Sequence, residues 1–88
     1  MNRELRLKRL KFRAWHRGTK EADMMIGGFF ERYGATWDDA QIDWFERFIE
    51  EQDVDIMAWA MQVQPVPPEW QGQMMSWLMR LDFVEVAK

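Results

Sequence analysis

From Arg3 to about His16 the apolar residues Leu7, Leu10 and Ala14 recur three and four positions apart, the spacing of one helical face. Phe12 and Trp15 form an adjacent pair on the same segment. Gly18 marks its stop, where a glycine with positive φ would release the chain from helical geometry. A second segment opens at Thr19, an N-cap residue followed by Glu21 and Asp23 in the first turn. Its apolar stripe runs through Ala22, Met25 or Ile26, Phe29 and Tyr33, and Gly34 ends it. Gly27 and Gly28 interrupt that stripe at about 1 kcal/mol each relative to Ala, which predicts close packing of another helix or a functional need there.

Thr36 with Asp39 three residues on predicts the next helix start, and Ile42, Phe45, Phe48 and Ile49 give that helix its core face. Asp53 is the expected cap of a short fourth helix through about Gln62, with Ile56, Met57, Trp59 and Ala60 inside. The stretch QPVPPEW cannot be helix interior, because prolines remove donors and bias their predecessors to extended backbone. Pro68 suits the first turn of a last helix carrying Trp70, Met74, Trp77, Leu78 and Leu81, after which FVEVAK is expected to fray. No alternating strand pattern competes. The pattern predicts an all-α, single-domain five-helix bundle over residues 1–88, with a basic N-terminal helix over 1–17 and an acidic body over 18–88.

Composition adds limits. A chain of 88 residues buries only about 60–65% of its unfolded surface, which leaves little room for a deep private active site. Six Trp, six Phe and eight Met are a heavy apolar load at this length, suited to filling a small core or anchoring a binding face. Without cysteine there are no disulfides, thiolate nucleophiles or Cys-based zinc sites. The net charge of −3 conceals an asymmetry: residues 1–20 hold eight Lys/Arg against Glu4 alone, net +7. Residues 21–88 then hold four basic and fourteen acidic side chains, net −10. Such a dipolar chain can orient on a negatively charged partner or dock its basic end on itself. No apolar run approaches the ~20 residues of a membrane span and no leader pattern is read, so a bacterial cytoplasm is the expected compartment.

The inventory of reactive groups is thin. His16 is the only histidine and Ser76 the only serine, with no motif joining them, so no enzyme is expected. Glu50, Glu51, Asp53 and Asp55 lack the glycine and spacing of a calcium loop and read as a solvated acidic face, with no metal expected. The basic segment with Trp15 permits nucleic-acid contact, but the ten net negative charges of the body oppose it. Its basic residues do not lie opposite a wide apolar face, which opposes a membrane surface. That leaves HRGTKE at residues 16–21. One reading is a helix stop, a Thr19 cap and an Arg17–Glu21 ion pair worth less than ~1 kcal/mol. The other is an arginine beside a glycine at a surface turn, reaching outward to a carboxylate, phosphate or carbonyl.

Arg17-Gly18-x-x-Glu21 with Asp23, preceded by RLKFRAWH and followed by FFERY, by Phe45-Glu46 and by DVDIMAW, resembles the SdhE family of succinate dehydrogenase flavinylation factors. The likeness covers roughly residues 6–62, and nothing is carried over beyond residue 64. It departs from commoner members at His16, where a second Arg often stands, and at Phe12, where Trp is frequent. The resemblance implies a five-helix bundle that is not an enzyme. Such a protein binds the flavoprotein subunit of succinate dehydrogenase, in some bacteria that of fumarate reductase, and promotes covalent attachment of FAD to it. Arg17, Gly18, Glu21 and Asp23 would then be the partner-binding residues, with Arg17, given close approach by Gly18, inserted toward the flavin site and Glu21 either orienting its guanidinium or contacting a basic group of the partner. FAD would be the partner's cofactor, with none held stably here; Trp15 or Tyr33 could stack on a flavin, but core packing is the expected use of both. The reading from another class is a general protein-interaction or antitoxin-like regulatory module using the same basic and aromatic face.

Overall fold

The computed structural model describes residues 2–84. Among them are five α-helices and no strand: α1 (Arg3–Trp15), α2 (Lys20–Tyr33), α3 (Asp39–Phe48), α4 (Asp53–Ala60) and α5 (Gln73–Met79). The helical reading of the pattern therefore holds, and so does the position of most core residues. Leu10, Ala14, Ala22, Ile26, Phe29, Ile42, Phe45, Phe48, Ile49, Ile56 and Leu78 are all buried. Phe29 is the hub, its ring 5.3 Å from Tyr33, 5.5 Å from Trp37 and from Phe83, and 6.0 Å from Phe45. Each such side chain removed from water contributes about 1.5–3 kcal/mol, so this cluster is what closes α2 on α3 and on the chain's end.

The glycines inside α2 are explained by packing. A Cβ on Gly27 would lie 2.3 Å from the Trp15 ring, so the indole of α1 lies directly against bare backbone. Gly28 does the same for the segment after α5, where a Cβ would stand 3.0 Å from the Phe83 carbonyl oxygen. Trp15 also donates from Nε1 to Glu31 Oε1 at 3.1 Å, and Tyr33 stacks on Trp77 at 5.5 Å. Both aromatics are packing residues in this fold.

Several element ends differ from expectation. Gly18 has no positive φ: α1 already stops at His16, and among glycines of the described residues only Gly72 (φ 137°) lies in the left-handed region. Thr36 belongs to a 3-10 turn at Gly34–Thr36 and bonds back to the Tyr33 carbonyl, so Asp38 caps α3 instead, in a reciprocal box with Gln41. Asp53 is not the cap of α4 but its first helical residue, because its carboxylate is engaged elsewhere; Gln52 occupies the cap without a side-chain bond, and α4 ends at Ala60 rather than Gln62. Pro68 lies in a second 3-10 turn, Pro68–Trp70, and α5 starts only after Gly72; Trp70 and Leu81 thus fall outside it. In FVEVAK, Phe83 and Val84 pack half-buried against the core instead of fraying, and residues 85–88 lie outside the described residues. Trp37, 1% exposed, is a core residue that the helical pattern did not reveal, since it sits between elements.

The basic helix docks on the chain's own acids. Arg3 pairs with Asp39, Arg6 with Asp43 and Glu46, and Arg13 with Glu50, all along α3 and its end. Arg3 also donates to the Trp37 carbonyl, and Lys11 pairs with Glu31 on α2. Hydrogen bonds to Glu46 and then Asp43 hold the Arg6 guanidinium above its ordinary pKa. The N-terminal charge excess is therefore largely neutralised within the fold.

The candidate functional site around Arg17

Between α1 and α2 the chain turns through His16, Arg17, Gly18 and Thr19. The turn starts with His16, whose ring stacks on Phe12 at 4.0 Å and whose Nδ1 lies 2.7 Å from the Phe12 carbonyl oxygen. It ends with Thr19, whose hydroxyl accepts the Ala22 N–H at 3.1 Å, the cap expected there. Asp23, one turn into α2, reaches back to accept the Arg17 backbone N–H at 2.5 Å. The acid near the helix start thus serves the macrodipole and closes the turn at once.

Arg17 does not reach outward. Its guanidinium lies against α4, with Nε donating to Asp53 Oδ1 at 2.7 Å. Nη2 donates to the Ile49 carbonyl at 2.9 Å and to the Glu51 carbonyl at 3.3 Å, filling acceptors at the C-terminal end of α3. The side chain is only 11% exposed, and that of Asp53 25%. The other Asp53 oxygen, Oδ2, accepts the Gly18 N–H at 3.0 Å. One carboxylate therefore clasps both the side chain of Arg17 and the backbone of Gly18. The clasp joins the α1–α2 turn, the end of α3 and the start of α4.

The expected Arg17–Glu21 ion pair is absent: Arg17 pairs with Asp53, and Glu21 is exposed and has no hydrogen-bond or ion-pair partner among the described residues. Nor does Glu21 orient the guanidinium. That work belongs to Asp53, which the sequence alone reads as a helix cap, as part of a solvated acidic face and as part of the DVDIMAW signature; at Asp53 the solvated-face reading fails, because Arg17 and Gly18 engage its carboxylate. The signature now has a physical basis, since Asp53 holds the turn while Trp59, on the same helix, packs its ring 6.0 Å from Phe48. At Gly18 an added Cβ would meet Asp53 Oδ2 at 3.6 Å, an ordinary contact. Nothing within the described residues requires a glycine there for space.

The four predicted residues therefore sit together but divide in role. Arg17 and Asp23 face inward and hold the turn; Gly18 and Glu21 form its exposed surface. No cluster of His, Cys, Asp and Glu among the described residues has the arrangement of a metal site. No helix of the described residues is long and apolar enough to cross a membrane.

Comparison with known proteins sets this geometry in context. A family described as flavinator of succinate dehydrogenase matches residues 8–82, extending the likeness well past the residue-64 limit taken from the motifs alone. The FAD assembly factor SdhE of Acetobacter pasteurianus is 40% identical over 68 residues, covering 77% of this chain and 62% of the relative. The mitochondrial succinate dehydrogenase assembly factor 2 of Mycosarcoma maydis is 35% identical over 68 residues, covering 77% of this chain and 29% of that one. Its counterpart in Danio rerio is 32% identical over 77 residues, with 85% and 49% covered. The chain thus spans between about a third and two thirds of the length of these curated relatives.

Proposed function

The chain belongs to the family of succinate dehydrogenase flavinators, and we propose that it assists covalent attachment of FAD to the flavoprotein subunit of that enzyme. The observation that carries this reading is the Arg17–Asp53 clasp, which holds the family-like R-G-x-x-E element in a fixed turn with Gly18 and Glu21 exposed. Attachment of a flavin to an imidazole develops negative charge across the isoalloxazine ring, so cationic or N–H donors at that ring favour it. Those donors belong to the flavoprotein. The assembly factor acts as a protein ligand for the conformation in which histidine, donors and flavin align, which is selection of a competent state rather than added chemistry. It is a binding protein in this reading, not an enzyme, with FAD as its client's cofactor and no metal or nucleic acid involved.

In this account Gly18 and Glu21 meet the client, while Arg17 and Asp23 keep them in register. A fumarate reductase flavoprotein is a second client of the same chemistry, and a bacterial cytoplasm is the compartment, in line with the Acetobacter relative. The test is co-expression with a succinate dehydrogenase flavoprotein subunit in a host deleted for its own assembly factor, with covalent flavin read as fluorescence of the denatured subunit in a gel. The wild type should restore the band and Glu21→Ala should not, at unchanged thermal stability. A band no stronger than the empty-vector control would overturn the assignment.

A further inference from the structure

Beside the Arg17 turn an open hollow of about 640 Å³ runs between Thr19 and Glu21 on one side and α4 with its following turn on the other. Its wall is aliphatic: Val54, Met57, Met61 and Val63. Val54 and Val63 are each 72% exposed and Met61 48% exposed, so three of the five most exposed large apolar side chains of the described residues converge on this one hollow. Scattered exposed apolar side chains need no explanation, whereas a contiguous patch marks a contact surface.

The backbone holds the patch in place at a cost. At the end of α4 the Gln62 N–H bonds to the Trp59 carbonyl at 3.1 Å and the Val63 N–H to the Ala58 carbonyl at 2.9 Å, the paired bonds of a Schellman cap. That cap places its C′ residue in the left-handed region, and here the residue is Gln62 at φ 60° instead of the usual glycine. The cap turns Val63 back over α4, next to Met61. At the other end, the Asp53 clasp fixes Glu21's turn against the start of α4. The two devices make one surface out of two elements.

Charge identifies what fits it. The lining contains no Lys or Arg, and Asp53 is already neutralised by Arg17, so the free charge of the hollow is that of Glu21. We infer that this hollow docks a segment of the client flavoprotein that presents apolar side chains next to a Lys or Arg, the apolar groups lying on Val54, Met61 and Val63 and the cation on Glu21. The inference rests on the function proposed above and adds to it the second half of the docking surface.

The experiment uses the full chain and a purified succinate dehydrogenase flavoprotein subunit. The combined variant Val54→Thr, Met61→Gln, Val63→Thr alters only exposed positions, so its melting temperature should match the wild type. Its affinity for the subunit, by calorimetry, should fall roughly ten-fold or more, as expected when the apolar anchors of an interface are lost. Glu21→Gln should weaken binding and flatten its salt dependence. A photo-crosslinker replacing Val63 should capture a client peptide with Lys or Arg adjoining apolar residues. Wild type that binds, with a triple variant that binds equally well, would overturn the hollow and leave the assembly function standing; wild type that does not bind would overturn the assembly function itself. Self-association of the wild type that the triple variant loses, at unchanged client affinity, would assign the hollow to a second copy and overturn the client segment. A captured peptide without a cation would overturn Glu21's part.

Discussion

Arg3, Arg6 and Arg13 on the one hand, and Arg17 on the other, bond to carboxylates of the same acidic stretch, residues 39–53. Their surroundings separate them. The carboxylates facing Arg3 and Arg13 are 82% and 70% exposed, while Arg6 lies between the extremes, its side chain 21% exposed and its partners Asp43 and Glu46 61% and 35%. Arg17 is shielded, and its guanidinium also fills two main-chain carbonyls at the end of α3. Exposed pairs of the first kind are worth about 0–1 kcal/mol, because water and salt compete for both partners. Removing one partner of a shielded pair leaves an uncompensated charge and orphaned acceptors, a far larger loss. One run of arginines in the sequence therefore contains a seam that guides docking and a single clasp that holds the functional turn.

That difference can be broken or sharpened by substitution. Arg17→Ala should have the largest effect, lowering stability by roughly 2–4 kcal/mol in denaturant titrations and reducing flavinylation along with it. A loss under ~0.5 kcal/mol would show that the clasp is no stronger than the seam. Asp53→Asn keeps an acceptor for Gly18 but removes the charge, so about 1–2 kcal/mol should be lost. Gln62→Gly relieves the left-handed backbone at φ 60° and should raise stability by about 0.5–1 kcal/mol with client binding retained, readable in the same titrations. Arg13→Gln should cost less than ~1 kcal/mol, and the remaining difference from wild type should shrink in 1 M salt, where the Debye length is about 3 Å. Gly18→Ala should be nearly neutral for stability, within about 0.5 kcal/mol, since the added Cβ meets only an ordinary contact at 3.6 Å. A loss of client binding at that position would then report the client's close approach.

Local signals marked the helices and most of their buried faces, because a 3.6-residue period and a heavy apolar load leave few alternatives for Leu10, Phe29 or Phe45. Gly27 and Gly28 likewise announced a close approach, and Trp15 and Phe83 are what approach. The candidate turn was also visible, through Arg17, Gly18, Glu21 and Asp23 standing together in a short span. What the motif concealed was the direction of each side chain. An arginine beside a glycine reads as an outward reach until a carboxylate thirty-six positions away is brought to within 2.7 Å of it. Asp53, taken alone, reads as a helix cap for the same reason.

Helix periodicity, the Thr19 cap and the charge imbalance between the two ends were thus determined by the sequence itself, since each depends on neighbours within a few residues or on a count. Tertiary structure decided which charges remain available, by laying α1 along α3 and the turn after it against the start of α4 until Arg3, Arg6, Arg13 and Arg17 were matched and Glu21 was left exposed. It also decided that Val54, Met61 and Val63 form one surface with that acid. Pairing across long stretches of chain depends on where helices pack, and packing follows from the shape of the whole core rather than from any one segment.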